Sequence, residues 1–141
     1  MNDDKLTELI HNLNLLNTQQ LASMIAMISD VISYYAVLEG KQLIEDNYFN
    51  NKTEINPMPD RTALQSLYLY LIAKVLFTSV GFSRYEFLRQ KKIHGEFEES
   101  IRPNMDINIG NIFGLIGLLF LIRGAEGIFQ RDDIQPIFGV R

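Results

Sequence analysis

Apolar residues recur at helical spacing along most of the chain, and that pattern predicts four helices. In the first, over residues 3–16, leucine and isoleucine fall three or four positions apart. Asparagines gather at residues 14–17, and Thr18 is suited to capping a second helix. That second helix, predicted over residues 18–48, carries the clearest amphipathic stripe of the chain: Leu21, Met24, Ile28, Val31, Tyr35 and Leu38.

A polar loop over residues 50–59, rich in asparagine and proline, separates these helices from a third. The third helix is predicted over residues 60–94, with Asp60 as its N-cap and Gly95 as its stop. Between Arg61 and Arg84 this helix is apolar on nearly all sides and contains a single charge, Lys74. A helix of this kind is either deeply buried or surrounded by lipid.

The fourth helix, predicted over residues 107–127, contains the uncharged run INIGNIFGLIGLLFLI. Four glycines share one stripe of its surface: Gly110, Gly114, Gly117 and Gly124. An interior glycine destabilises a water-exposed helix by about 1 kcal/mol relative to alanine, so the stripe is best explained by another backbone packing closely against it. The remaining residues, 128–141, are expected to form an extended apolar tail, because Pro136 cannot continue a helix.

The glycine stripe is the predicted helix-packing interface of the protein. Its residues are Gly110, Gly114, Gly117 and Leu121, with Phe138 of the tail in a supporting role. The spacing of Gly110 and Gly114 lets two helices approach closely in a membrane, and it also suits tight packing in a soluble bundle. A buried central helix with incidental glycines is the simpler alternative.

Two environments compete for the apolar helices. A membrane span needs about 20 mainly apolar residues, and residues 107–122 fall short of that length. Residues 62–82 are long enough, but Lys74 lies near their middle. We therefore favour an all-α, four-helix bundle-like single domain over residues 1–141, and keep a membrane-associated hairpin of these two segments as the alternative.

Composition narrows the partners and the compartment. The chain is 47% hydrophobic and 21% charged, which excludes a disordered protein. A formal net charge of -4 argues against a general affinity for nucleic acid, so none is expected as a partner. The acidic, polar N-terminus is unlike a signal peptide, which predicts a protein that is not secreted and is cytoplasmic, or membrane-associated in the alternative.

Catalytic and metal-binding patterns are nearly absent from the sequence. With no cysteine there is no thiolate ligand or nucleophile. Glu8 and His11 have the Glu-x-x-His spacing of helical di-iron sites, but the second pair is missing because Lys91 stands three residues before His94. We therefore predict no catalytic residue, no cofactor and no metal, and a protein that is not an enzyme.

One basic patch lies near the end of the third helix: Arg84, Arg89, Lys91 and Lys92. Aromatic residues are interleaved with it, so it could contact phosphate groups of lipid or nucleic acid. The simpler interpretation is that cations near a helix C-terminus interact favourably with the helix dipole, and that the glutamates that follow neutralise them. We favour that interpretation.

The predicted function is a non-enzymatic structural or interaction protein that acts through homo- or hetero-oligomeric helix packing, or as a subunit of a larger assembly. Four helices in so short a chain cannot bury apolar surface on all their sides, so some of it should meet another protein, either self or a larger assembly. The alternative is a small membrane-associated or integral helical-hairpin protein.

Overall fold

A computed structural model describes residues 3–49 and 58–130, and these residues form three long α-helices. They are α1, Asp3–Phe49; α2, Met58–Ile93; and α3, Arg102–Phe129. The all-α prediction is confirmed, and no β-strand occurs within the described ranges. The four-helix bundle is not confirmed, because the first two predicted helices are one. The predicted loop over residues 50–59 and the predicted tail, including Phe138, lie largely outside the described residues.

The predicted break between residues 3–16 and 18–48 does not occur. Instead of capping a new helix, Thr18 lies inside α1, and its Oγ1 donates a hydrogen bond to the Asn14 carbonyl oxygen at 2.9 Å. The asparagines before it destabilise a helix by less than about 0.7 kcal/mol each relative to alanine, which tertiary packing can offset. That packing continues across the predicted break, because buried residues recur at seven-residue intervals along α1: Leu15, Ala22, Ser29 and Ala36.

The ends of α2 and α3 follow local capping rules. Gly95 terminates α2 with a φ of 75°, a backbone conformation that glycine adopts without a steric penalty. The Glu96 N–H donates to the Lys91 carbonyl oxygen at 2.9 Å, which completes a Schellman motif. The helix α3 then begins five residues earlier than predicted, since Pro103 stands in its first turn, where a missing N–H is tolerated.

The middle position of the fold belongs to α2. Both α1 and α3 pack against it, and within the described residues α1 and α3 do not contact each other. Each neighbour runs antiparallel to α2, as four cross-helix pairs show: Glu8 with Lys91, Ser29 with Ser66, Gly81 with Asn108, and Tyr68 with Glu126. The fold is therefore an up-down-up row of three helices.

Small side chains fill the contacts between the helices. Five of the six alanines are buried, and these are Ala22, Ala36, Ala63, Ala73 and Ala125. Most large apolar side chains point outward, and Phe113 and Phe120 are each 69% exposed. Within the described residues no large side chain is fully buried. The interior is therefore a set of close backbone contacts and lacks the core of leucine and phenylalanine that is typical of water-soluble domains.

Because the helices pack tightly, the stability of the protein should depend strongly on the size of the side chains between them. Ala73 has no exposed surface, so Ala73→Leu should lower the free energy of unfolding by about 1–3 kcal/mol through overpacking. Ala26→Leu makes the same change at the one alanine that is not buried, and should be less destabilising. Chemical denaturation followed by circular dichroism would measure both values. Equal losses at the two positions would show that Ala73 is not tightly packed.

Candidate functional site: two helix-packing seams

The seam between α1 and α2 is centred on two buried serines. Ser29 Oγ donates a hydrogen bond across the seam to the main-chain carbonyl oxygen of Ser66 at 2.7 Å. Ser66 Oγ in turn donates to the carbonyl oxygen of Ala63 in its own helix, also at 2.7 Å. A side chain as short as serine reaches the main chain of the neighbouring helix only when the two backbones lie close together. Both buried hydroxyl groups are thereby satisfied.

At one end of this seam lie Glu8 and His11, the two residues with the spacing of half a di-iron site. Glu8 forms an ion pair with Lys91, with 2.6 Å between Oε1 and Nζ. His11 stacks on the Phe87 ring, with 4.7 Å between ring centroids. Among the described residues, no group of three or more histidines and carboxylates is placed to hold a metal ion. The Glu-x-x-His pair therefore joins the start of α1 to the end of α2.

The seam between α2 and α3 depends on Gly81. A Cβ atom built on Gly81 would lie 2.5 Å from Asn108 Oδ1 and 3.2 Å from Asn111 Nδ2. Asn108 is only 4% exposed, and its Oδ1 accepts no hydrogen bond from the described residues. Gly81 thus creates the space that an asparagine side chain of α3 occupies. Gly81 was not predicted from the sequence, because nothing local distinguishes a glycine that accommodates a distant side chain.

A second glycine contact lies two turns away in the same seam, with the roles of the helices reversed. A Cβ atom on Gly114 of α3 would lie 2.8 Å from Cε and 3.2 Å from Nζ of Lys74 on α2. Lys74 is half-buried, and no hydrogen bond or ion pair of its ammonium group occurs among the described residues. Further along, the Tyr68 hydroxyl donates to the Glu126 carboxylate. The seam thus contains several polar groups among apolar neighbours.

The glycines of the predicted stripe differ in what lies near them. Only Gly114 lies in the α2–α3 seam, whereas nothing lies within 4 Å of a Cβ atom built on Gly110, Gly117 or Gly124. Leu121 is 63% exposed. The stripe therefore makes little contact within one copy of the chain, and its role as an interface with another helix stays a prediction.

The basic patch is engaged mostly in local contacts. Arg89 Nη1 lies 3.1 Å from the Glu86 carboxylate in the same helix. Lys92 Nζ donates to the Glu99 carbonyl oxygen at 3.0 Å, and Lys91 binds Glu8 while lying 5.1 Å from the Phe87 ring centroid. Arg84 is exposed. The last turn of α2 contains both lysines, the arrangement that favours the helix dipole.

All three helices are long and apolar enough to cross a membrane, judged by length and composition. The segments are Lys5–Asp46, Pro59–Ile93 and Arg102–Phe129. The predicted membrane hairpin involved only parts of the last two, because the predicted break at Thr18 divided α1. The signal that could have identified α1 is residues 21–38, where Asp30 is the single charged residue.

Comparison with protein-family models, with curated proteins and with solved structures finds no match to this chain. The function must therefore be inferred from the two seams and the exposed surfaces beside them.

Substitution by alanine should change the stability of the protein differently at a glycine that contacts another helix and at one with open space around it. Gly81→Ala places a Cβ atom against Asn108 and should lower the free energy of unfolding by about 1–3 kcal/mol. Gly110→Ala, with open space around its Cβ, should leave it unchanged or raise it by up to about 1 kcal/mol, since alanine favours helix. Chemical denaturation of both variants tests this difference. A stable Gly81→Ala protein would mean that the Asn108 side chain can move away from this position at little cost.

Proposed function

We propose that the chain is an integral membrane protein whose three helices span the bilayer and whose role is to associate with protein through helix packing. The observation that carries this proposal is the distribution of side-chain size. The buried residues are mostly small (alanine, serine, glycine and threonine), with Leu15, Val80, Leu118 and Ile122 among them, whereas most leucine, isoleucine and phenylalanine side chains face outward. Membrane helices pack through small residues, because lipid surrounds large apolar side chains as favourably as a protein interior does.

The same distribution would be unfavourable in water. Each large apolar side chain left exposed forgoes about 1.5–3 kcal/mol of burial free energy, and exposed examples occur along the whole length of α3. In lipid this loss disappears. The backbone also suits lipid, since all three segments are helices whose polar groups are paired within the segment. This reverses the preference for a soluble bundle that sequence analysis expressed.

Helix length fits a span with protruding ends. The hydrocarbon core of a bilayer is about 30 Å thick, and α3, with 28 residues, is about 42 Å long. The helices α1 and α2 are longer still, so their ends would extend beyond the hydrocarbon core. Ion pairs lie near those ends, including Lys91 with Glu8 and Lys41 with Glu45. Lys74 and Asp30 are the charges left inside the apolar segments of α2 and α1.

The proposed role in association is supported by exposed polar and small residues, which a surface that only contacts lipid would not require. Charged side chains within a membrane span are unfavourable by about 2.5–3.5 kcal/mol each, and they mark sites of function or assembly. Asp30 is exposed, and Gly110 and Gly117 present bare backbone on α3. A protein that associates through its helices, as an oligomer or as a subunit of a larger assembly, makes use of such surfaces.

Membrane fractionation tests the first half of the proposal. After expression, the protein should pellet with membranes, remain there in alkaline carbonate and require detergent for extraction. Carbonate removes peripheral proteins, which serve as the internal control. Recovery of a discrete species in detergent-free buffer would exclude the membrane proposal and restore the soluble helical bundle, the second candidate.

Cysteine labelling distinguishes lipid from water at two equally open positions. The chain has no cysteine, so a single one can be introduced without background. Glu45→Cys and Phe120→Cys both replace exposed side chains, but only position 45 lies near a helix end. A water-soluble maleimide should label Glu45→Cys in intact membranes and label Phe120→Cys only after denaturation, because the thiolate forms in water. Rapid labelling of both would place α3 in water.

A further inference from the structure

Lys74 places a cation in the middle of an apolar segment. Its ammonium group makes no hydrogen bond or ion pair with any of the described residues. Lys74 lies eight residues from the nearer end of the apolar segment 62–82, about 12 Å along the helix, which is farther than its four-carbon stem extends. In a bilayer, charged side chains at such a depth are found paired. The ammonium group therefore calls for a partner.

The Lys74 side chain extends to the edge of the α2–α3 seam. Its Cε and Nζ would lie 2.8 Å and 3.2 Å from a Cβ atom built on Gly114. Around the axis of α3, Gly114 lies about 40° from the buried Leu118. Gly110 and Gly117, both exposed, lie about 40–60° away in the opposite direction. The ammonium group thus lies where the seam meets the open part of the glycine stripe.

The polar groups inside the seam do not pair with this ammonium group. Thr78 Oγ1 donates a hydrogen bond to the main-chain carbonyl oxygen of Lys74 at 2.8 Å. Asn108 Oδ1 is a buried acceptor that receives no hydrogen bond from the described residues. Asn108 is six residues from Gly114, however, which places it about 9 Å away along α3. The seam therefore contains an acceptor and a donor that do not meet, and a partner of Lys74 has to come from outside the seam.

Among the described residues, no carboxylate lies at the depth of Lys74. On α3 the nearest is Asp106, about 12 Å along the axis from Gly114. On α1 the nearest is Asp30, about 13 Å from the level of Lys74 when the two helices are aligned by their serine hydrogen bond. On α2 the nearest is Glu86, about 18 Å away. A second copy in the same orientation would bring these carboxylates to the same unsuitable depths.

We propose that Lys74 pairs with a carboxylate on a membrane-spanning helix of a different polypeptide, and that this helix packs along the glycine stripe of α3. The inference rests on the proposed membrane location and role in association, and it states the chemistry of the partner. Opposite charge attracts the partner to Lys74. The bare backbone at Gly110 and Gly117 lets the partner helix approach closely enough for the two charges to meet. A carboxylate near the middle of its own span matches the depth of Lys74.

A model membrane helix tests the inference with a defined partner. The probe is a synthetic helix of about 20 leucine and alanine residues with one central glutamate, mixed with the full-length protein in lipid vesicles. Energy transfer from the probe to a label at Glu45→Cys measures binding. The probe should bind on the order of tenfold more tightly than the same helix with a central glutamine, the scale of one interhelical polar contact. Moving the glutamate to one end of the probe should remove this preference.

Variants of Lys74 test whether its charge causes the preference. Lys74→Met retains an unbranched side chain against Gly114 and should bind the glutamate and glutamine helices equally. Lys74→Arg, which retains the charge, should preserve most of the difference. Circular dichroism should show the same helix content in both variants and in the wild type. The comparison of the two helices on the wild-type protein needs no variant, so it is decisive even if Lys74→Met does not fold.

Glycine variants test the position of the partner helix. Gly117→Leu should weaken binding of the glutamate helix by on the order of tenfold, because a leucine side chain would hold the partner away from α3. Gly127→Leu is the matched control, about 80° around α3 and ten residues farther along. A Cβ atom meets nothing at either position, so both variants should fold. Equal binding by the two variants would overturn the placement on the stripe.

Other outcomes would overturn the inference as a whole. One is equal affinity of the wild-type protein for the glutamate and glutamine helices, and another is a preference that Lys74→Met retains. A third is a homodimer, detected by light scattering in detergent, that both Lys74→Met and Asp30→Asn abolish, since the carboxylate would then belong to a second copy. Membrane fractionation is a separate measurement. A membrane-embedded protein that binds both helices equally would retain the proposed function and lose only this inference, whereas recovery in detergent-free buffer would end both.

Discussion

Close approach of helix backbones along α2 is the constraint on which the rest of the structure depends. Ala22 and Ala73 have no exposed surface, and Ser29 reaches the main chain of α2 directly. Such contacts gain stability from dispersion between tightly fitted surfaces, which falls steeply once the surfaces separate. A larger side chain in either seam would move a whole helix away from α2. Small residues in the seams are thus the condition for the row of three helices.

Polar groups give those seams their register. Alanine surfaces alone would allow one helix to slide along another at little change in packing. The Ser29–Ser66 hydrogen bond, the Tyr68–Glu126 hydrogen bond and the fit of Asn108 against Gly81 each occur at one alignment only. In an apolar environment an unpaired polar group is strongly unfavourable, so a misaligned helix would lose more than packing. The same groups that appear out of place in apolar helices therefore specify how the helices align.

An arrangement held together by small residues leaves its large apolar residues on the outside. Lipid would satisfy that surface, and the proposed role in association uses the features that lipid does not explain: a charge at Asp30 and bare glycine backbone on α3. These features connect the proposed membrane location with the proposed role in association, since a membrane helix gains little from meeting another except through close fit and polar contact.

Local chemistry determined part of this structure from the sequence alone. Helical periodicity predicted α2 and most of α3, and Gly95 marked the end of α2, because these features depend on residues close together in the chain. The tertiary structure decided the continuity of α1 through Thr18, since packing along a seven-residue repeat outweighed the weak local preference for a break. It also decided which glycines serve the fold. Gly81 and Gly114 lie against side chains of another helix while Gly110 and Gly117 do not, and only the relative placement of helices distant in sequence distinguishes them.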